Sequence, residues 1–203
     1  AVSFRTLPWH QGMMDLLATA VAGPDQLPGG NFEDLDLMLQ AGWRHLNAAV
    51  PGILAEANLA PAAARSGRLG LRLSARPANQ ENARMLLETP PVWMISPEVQ
   101  VQPGSLLRIR GSACVPAPIT GSVDGLMVLD SITGEALAER IDATGGWVQF
   151  ELYRVADRSG RVSITFVLSG LGEAWLDDVA ICAMEPSRPA AATRQAPMFS
   201  PRR

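Results

Sequence analysis

Hydrophobic residues at every second position recur through the middle of the chain and predict a series of β-strands. Leucine occupies alternate positions of residues 69–73, and residues 107–111 and 162–168 show the same period of two. This period places successive side chains on opposite faces of a strand, so that one face enters the core. The Ala-rich run 55–65 has the propensity of a helix, and against this alternative residues 53–59 are interpreted as a further strand. Because Gly and Pro turns separate the runs, the pattern predicts an all-β antiparallel sandwich or barrel.

The two ends of the chain differ from this middle part. In residues 1–28, the apolar run 13–21 predicts a short helix that stops at Gly23-Pro24, so the segment is interpreted as a helical lead-in. Residues 29–184 form the predicted sandwich domain. Residues 185–203 contain four prolines and are interpreted as a Pro-rich C-terminal tail.

Composition narrows the functional classes. The 203 residues carry a net charge of −3, and all 17 basic residues other than His are Arg, so no general basic surface for nucleic acid is expected. No run of about 18 apolar residues is present, and no membrane span is expected. The only histidines, His10 and His45, are interpreted as capping or packing residues. Because the sequence also lacks nucleophile-elbow, phosphate-loop and zinc-protease motifs, it does not favour an enzyme.

The two cysteines lie far apart, at Cys114 and Cys182. Their spacing does not support a structural zinc site. Neighbouring strands could bring them together as one disulfide, and the other interpretation is two separate buried thiols. The sequence favours the second.

An ordered set of motifs resembles the galactose-binding-like jelly rolls, especially carbohydrate-binding modules of families 4 and 9. The motifs lie at residues 30–34 (GNFED), 42–43 (GW), 66–73 (SGRLGLRL), 101–111, 147–150 (WVQF) and 172–179 (GEAWLDDV). The resemblance covers residues 29–184 and implies a jelly-roll β-sandwich. It also implies a non-catalytic, carbohydrate-binding-like module of an exported protein, whether extracellular, periplasmic or at the cell surface, whose partner is a glycan or a neighbouring domain. The alternative is a structural or protein-interaction sandwich that binds no sugar.

The same resemblance implies a structural Ca²⁺ between the first and last strands. Carried over by position, its ligands are Glu33 and Asp177, with Asn31 or the loop beginning at Ser66 supplying backbone oxygen. Simple alternation along the last strand places Trp175, Asp177, Val179 and Ile181 on one face, the predicted core face. A carboxylate there needs a cation or a partner. The alternative to calcium is an Arg partner, with Arg68, Arg72 and Arg108 as candidates.

The aromatic residues divide into core and ligand candidates. Trp93 follows Pro90-Pro91 and precedes Ser96-Pro97, an irregular segment that can expose a ring, and Tyr153 is the second candidate ligand-binding ring. The alternative for Trp93 is a hydrophobic plug. The rings predicted to lie in the core are Phe32, Trp43, Trp147, Phe150 and Phe166, with Trp175 as a further candidate.

Overall fold

The computed structural model describes residues 7–79 and 86–186, and within them the chain is built mainly of β-strands. The two α-helices are α1 (Leu7–Thr19) and α2 (Leu35–Ala41), and short 3-10 helices lie at Pro61–Ala63 and Gly134–Leu137. The strands are β1 (Ala20–Asp25), β2 (Arg44–Asn47), β3 (Ile53–Ala60), β4 (Gly70–Pro77), β5 (Val92–Ile95), β6 (Val99–Gln100), β7 (Leu106–Cys114), β8 (Leu126–Asp130), β9 (Glu139–Ile141), β10 (Val148–Val155), β11 (Arg161–Val162), β12 (Ile164–Leu168) and β13 (Gly172–Pro186).

Two antiparallel sheets make up the sandwich. The six-stranded sheet has the order β10-β7-β13-β4-β3, and β1 pairs with the last part of β13. The five-stranded sheet has the order β2-β5-β12-β8-β9, and a small two-stranded ribbon joins β6 to β11. The predicted all-β sandwich is confirmed, and β3 confirms the predicted strand at residues 53–59.

The core lies between the two sheets and follows the period of two. Phe150 on β10 and Phe166 on β12 meet edge to face across it, with ring centroids 6.3 Å apart. In β4, β7, β8 and β12 every second side chain enters the core, since one face of each sheet is removed from water. The largest fully buried side chains are Phe32, Phe166, Leu71, Leu73, Leu107, Ile109, Leu126, Ile164, Leu168, Leu176, Ile181 and Val92.

The N-terminal segment is partly incorporated into the sandwich. Helix α1 ends at Thr19, not at residue 21 as the apolar run predicts, because the chain then pairs with β13. The pairing places Ala20 opposite Pro186 and Asp25 opposite Cys182, with an irregularity between Ala22 and Asp25. Gly23-Pro24 therefore lies within a strand and does not act as a stop signal.

The corner that follows β1 is packed around an aromatic pair. Phe32, with a positive φ of 53°, is fully buried, and its ring lies 5.3 Å from that of Trp43 in an edge-to-face arrangement. The Trp43 indole N–H donates to the Pro28 carbonyl at 2.9 Å. Asp34 caps α2 by accepting the Leu37 N–H at 3.0 Å. These contacts fix the position of Glu33 in the loop before α2.

Both cysteines are free and buried. Cys114 pairs in register with Trp175, whereas Cys182 pairs with Arg108, six residues before Cys114 on β7. This separation confirms two separate thiols. His45 is exposed in the middle of the edge strand β2, so its prediction as a capping or packing residue is wrong. The side chain of His10 lies outside the described residues. Among the described helices, none is long and apolar enough to cross a membrane.

Candidate functional site

The two acidic residues predicted as metal ligands meet at one loop, residues 65–69, which we call the amide loop. The Asp177 Oδ2 atom accepts the backbone N–H groups of Arg65 at 2.8 Å and Ser66 at 2.9 Å. The Glu33 Oε1 atom accepts those of Arg68 at 2.8 Å and Leu69 at 3.0 Å. One short loop therefore binds two carboxylates, one from the corner that follows β1 and one from the last strand, β13.

A bulge in β13 aims Asp177 at the amide loop. The register between β13 and β7 shifts between Asp177 and Ala180, and Asp178 has a positive φ of 54°. The core residues are Ala174 and Leu176 before the bulge, and Val179 and Ile181 after it. The simple alternation predicted for this strand is therefore wrong, because an extra residue reverses the side-chain directions. Asp177 is nevertheless fully buried, as predicted.

The two carboxylates lie in different electrostatic environments. Burial raises the pKa of Asp177, while N–H donors from Ser66, Arg65 and Asp178 oppose this shift. N–H donors from Leu69 and Arg68 hold the pKa of Glu33 below its ordinary value. Hydrogen bonds to a carboxylate favour its ionised form, so the amide loop acts as an anion-binding element.

This donor set does not fit the implied calcium ion. Ca²⁺ takes six to eight oxygen ligands, whereas the hydrogen-bond partners of these two carboxylates are backbone N–H groups. The Ser66 hydroxyl donates to Asp178 Oδ1 at 2.7 Å, and Asn31 is exposed. Within residues 7–79 and 86–186, no group of three or more His, Cys, Asp or Glu side chains is placed to hold a metal ion. The alternative prediction, an Arg partner for the Asp177 carboxylate, also differs from the structure. Arg68 lies near Glu33 instead, at 3.9 Å, and the Asp177 carboxylate binds backbone N–H groups.

Gly67 at the centre of the amide loop is expected to resist substitution. Its φ is +64°, and a Cβ there would lie 2.2 Å from Glu33 Oε1. Gly134 is a matched control, since its φ is +59° and a Cβ added there would meet nothing within 4 Å. Gly134→Ala carries only the backbone penalty, about 1 kcal/mol, and Gly67→Ala also displaces Glu33. Thermal unfolding should show a fall in Tm for Gly67→Ala about twice that of the control or more. Equal falls would contradict a tight fit between Gly67 and Glu33.

Trp93 lies on the outer surface of the five-stranded sheet. Its neighbours Val92 and Met94 belong to the core, so the indole points to the other side and is half-buried. By register, Trp93 is opposite Val167 on β12, which is opposite Met127 on β8, and this row forms an apolar floor. We call the surrounding depression, ≈ 380 Å³ in volume, the Trp93 groove. It is lined by Leu87, Glu88, Pro90, Trp93, Ser122, Asp124, Met127, Leu129, Glu135, Val167 and Ser169.

Acidic and hydroxyl groups surround this apolar floor. Arg140 contacts two of the carboxylates, with its Nε 2.8 Å from Asp124 Oδ1 and its Nη2 3.7 Å from Glu135 Oε1. Glu88 is exposed. The groove therefore combines one aromatic face with acceptors for hydroxyl groups, an arrangement common in ligand pockets.

Tyr153, the second predicted ring, lies on the opposite side of the molecule. It is on β10 in the six-stranded sheet, 36% exposed, and its hydroxyl donates to Glu151 Oε2 at 3.2 Å. Its register partner is Arg108 on β7. Trp93 and Tyr153 belong to different sheets and do not form one site.

A pair of tryptophans lies on the outer surface of the six-stranded sheet. The prediction that Trp147 and Trp175 belong to the core is wrong, because both are half-buried, with ring centroids 6.5 Å apart. The Trp175 indole N–H lies 3.4 Å from Glu173 Oε2. The alternation of side chains along the strand indicates that Trp147 faces outwards. Because Phe150 faces the core, residues 147 and 149 face the opposite side. The same argument applies to Trp175 between the core residues 174 and 176.

Solved structures of carbohydrate-binding modules share this sandwich. TmCBM61, in complex with β-1,4-galactotriose, superposes with a TM-score of 0.51 at 16% identity, covering 79% of this chain and 99% of that chain. A CBM4 structure gives 0.54 at 14% identity, covering 77% and 99%. A putative sugar binding protein from Bacteroides thetaiotaomicron VPI-5482 gives 0.53 at 9% identity, covering 79% and 100%.

At these identities the likeness identifies the fold alone. It confirms the predicted jelly-roll sandwich and the resemblance to carbohydrate-binding modules at the level of fold. No protein-family model matches the chain, and no curated protein matches it as a relative.

Proposed function

We propose that this chain is a non-catalytic carbohydrate-binding module that binds a glycan in the Trp93 groove. The observation that carries the proposal is a half-buried tryptophan on an apolar floor, bordered by carboxylate and hydroxyl groups. An indole face packs on the apolar C–H face of a pyranose ring, while flanking acceptors take its hydroxyl hydrogens. The β-1,4-galactotriose bound in the similarly folded TmCBM61 structure supports the same class of ligand.

The charges of the groove favour neutral over acidic sugars. Among the residues that the structure describes, the charged side chains lining the groove are those of Glu88, Asp124 and Glu135, and Arg140 is shared between the latter two. A uronic acid or sulfated sugar would bring another negative charge against these carboxylates, which opposes its binding. We therefore propose neutral hexose or pentose chains as the ligand class.

The groove also supports a binding role over a hydrolytic one. A glycoside hydrolase positions two carboxyl groups across the scissile bond, one of them as a proton donor. Asp124 and Glu135 instead share Arg140 as a partner. Export of the protein belongs to the same proposal, because polysaccharide ligands of this kind are encountered outside the cytoplasm.

The test is a glycan array followed by titration calorimetry on the glycans that bind. Trp93→Ala should weaken binding about tenfold or more, since losing one stacked ring removes roughly 1.4 kcal/mol. Trp147→Ala is the matched control, because it removes a half-buried indole from the other sheet, and it should leave affinity unchanged. Neutral oligosaccharides should bind more tightly than oligouronates at low salt.

Two outcomes would contradict the proposal. If Trp147→Ala abolishes binding while Trp93→Ala does not, the glycan site is on the six-stranded sheet. If no glycan binds, the alternative of a structural or protein-interaction sandwich is favoured. The exposed leucines of α2, Leu35 at 55% and Leu39 at 63%, are the feature that would support that alternative.

A further inference from the structure

The corner that follows β1, which contains Gly30 and Glu33, is in direct contact with the last strand, β13, and both segments bind the amide loop. The Val179 N–H donates to the Gly30 carbonyl at 2.8 Å. A Cβ on Gly30 would lie 2.1 Å from the Val179 carbonyl oxygen, so the two backbones are already in contact. The same two segments carry Glu33 and Asp177, whose carboxylates bind the amide loop.

We propose that this chain closes its sandwich without a metal ion, through an amide clamp in which the N–H groups of residues 65–69 bind the Glu33 and Asp177 carboxylates. The proposal concerns the stability of the fold and is independent of the Trp93 groove.

The first argument is the occupancy of the carboxylate oxygens. Glu33 Oε1 and Asp177 Oδ2 each accept two N–H groups, which uses both lone pairs of each atom. Asp177 Oδ1 accepts the Asp178 N–H at 2.7 Å. A cation bound to Glu33 Oε1 or Asp177 Oδ2 would have to replace hydrogen bonds that are already formed.

The second argument is the sign of the local charge. Backbone N–H groups present their positive ends, and successive N–H groups that converge in this way bind anions. Two guanidinium groups add positive charge: Arg65 Nη1 lies 3.2 Å from Asp178 Oδ2, and Arg68 Nε lies 3.9 Å from Glu33 Oε2. Arg68 therefore adds positive charge next to Glu33, Arg65 pairs with the neighbouring carboxylate of Asp178, and Asp177 itself is bound by backbone N–H groups.

The third argument is the shape of the amide loop. Its four donors lie in two pairs on either side of Gly67, whose φ of +64° turns the chain between them. Each pair binds one oxygen of a different carboxylate. The loop leads into β4, which pairs with β13, so the clamp joins segments that are also neighbours in the sheet.

The proposal is tested by thermal unfolding of the full chain in EDTA, in Ca²⁺ and in Mg²⁺, together with terbium luminescence excited through tryptophan. We expect the same Tm in all three conditions and no sensitised terbium emission. A bound ion at saturating concentration would instead raise Tm by about 5 °C or more.

The Glu33→Gln variant shows whether an ion that raises Tm binds at the clamp or elsewhere. If calcium raises the Tm of the wild type and this variant abolishes the rise, the ion binds at the clamp and the proposal is overturned. If the variant keeps the same rise in Tm, the ion binds elsewhere and the clamp itself is metal-free. Gln keeps an oxygen acceptor for the N–H groups of residues 68 and 69, so the variant is expected to fold.

Discussion

Asp177→Asn is expected to lower the free energy of unfolding by about 3 kcal/mol, a fall of about 6–12 °C in Tm for a chain of this size. Asp177 is fully buried and accepts three N–H groups, from Arg65, Ser66 and Asp178. The amide side chain has one acceptor oxygen instead of two, so at least one N–H faces an NH₂ group. The remaining hydrogen bonds also lose the contribution of a charged acceptor.

Asp178→Asn is the matched control for this variant. Asp178 is the next residue along the chain and also binds the amide loop, through the Ser66 hydroxyl and the Arg65 guanidinium. Its side chain is 34% exposed, and Asn adopts the positive φ of 54° well. We expect a loss below about 1 kcal/mol. Chemical denaturation measures both values, and similar losses for the two variants would contradict the central role of Asp177.

Arg154→Leu is expected to lower the free energy of unfolding by about 3–5 kcal/mol, because it leaves a buried carboxylate without its cation. Arg154 Nε lies 2.7 Å from Asp130 Oδ2, with the side chains 12% and 0% exposed. The pair joins β10 of the six-stranded sheet to β8 of the five-stranded sheet. Arg154 Nη2 also donates to the Leu137 carbonyl at 2.8 Å, in the 3-10 helix that carries Glu135 of the Trp93 groove.

A double-mutant cycle identifies the cause of this loss. Asp130→Asn removes the charge but keeps an oxygen for the N–H groups of Ile132 and Thr133, which the carboxylate accepts at 3.0 and 2.9 Å. In the double variant the unpaired charge is gone, so its stability should be higher than that of Arg154→Leu alone. A double variant that is less stable than Arg154→Leu would contradict the electrostatic explanation. The exposed pair between Arg161 and Glu98 provides the control, and Arg161→Leu should lower stability by less than about 1 kcal/mol.

The candidate binding features are predictable from the sequence to different degrees. The prolines around Trp93 mark it as a candidate ring, and the structure locates it on the outer surface of a sheet in a groove. The motifs that contain Trp147 and Trp175 suggest that both rings lie in the core. The alternation around Phe150, however, places residue 147 on the outer surface of the sheet. The predicted burial of Asp177 is confirmed. Two of its three backbone partners, Arg65 and Ser66, are not predictable, since they lie more than 100 residues earlier in the chain.

The fold class and most of the core follow from the order of residues alone. A period of two needs no knowledge of neighbouring strands, because alternate side chains of any strand face opposite sides. The bulge at Asp177 and Asp178, the meeting of Glu33 with residues 65–69, and the sheet to which each tryptophan belongs are instead set by the folded chain. These features depend on the pairing of strands that are distant in the chain. The period of two determines which face of a strand is buried, but not which distant strand it pairs with.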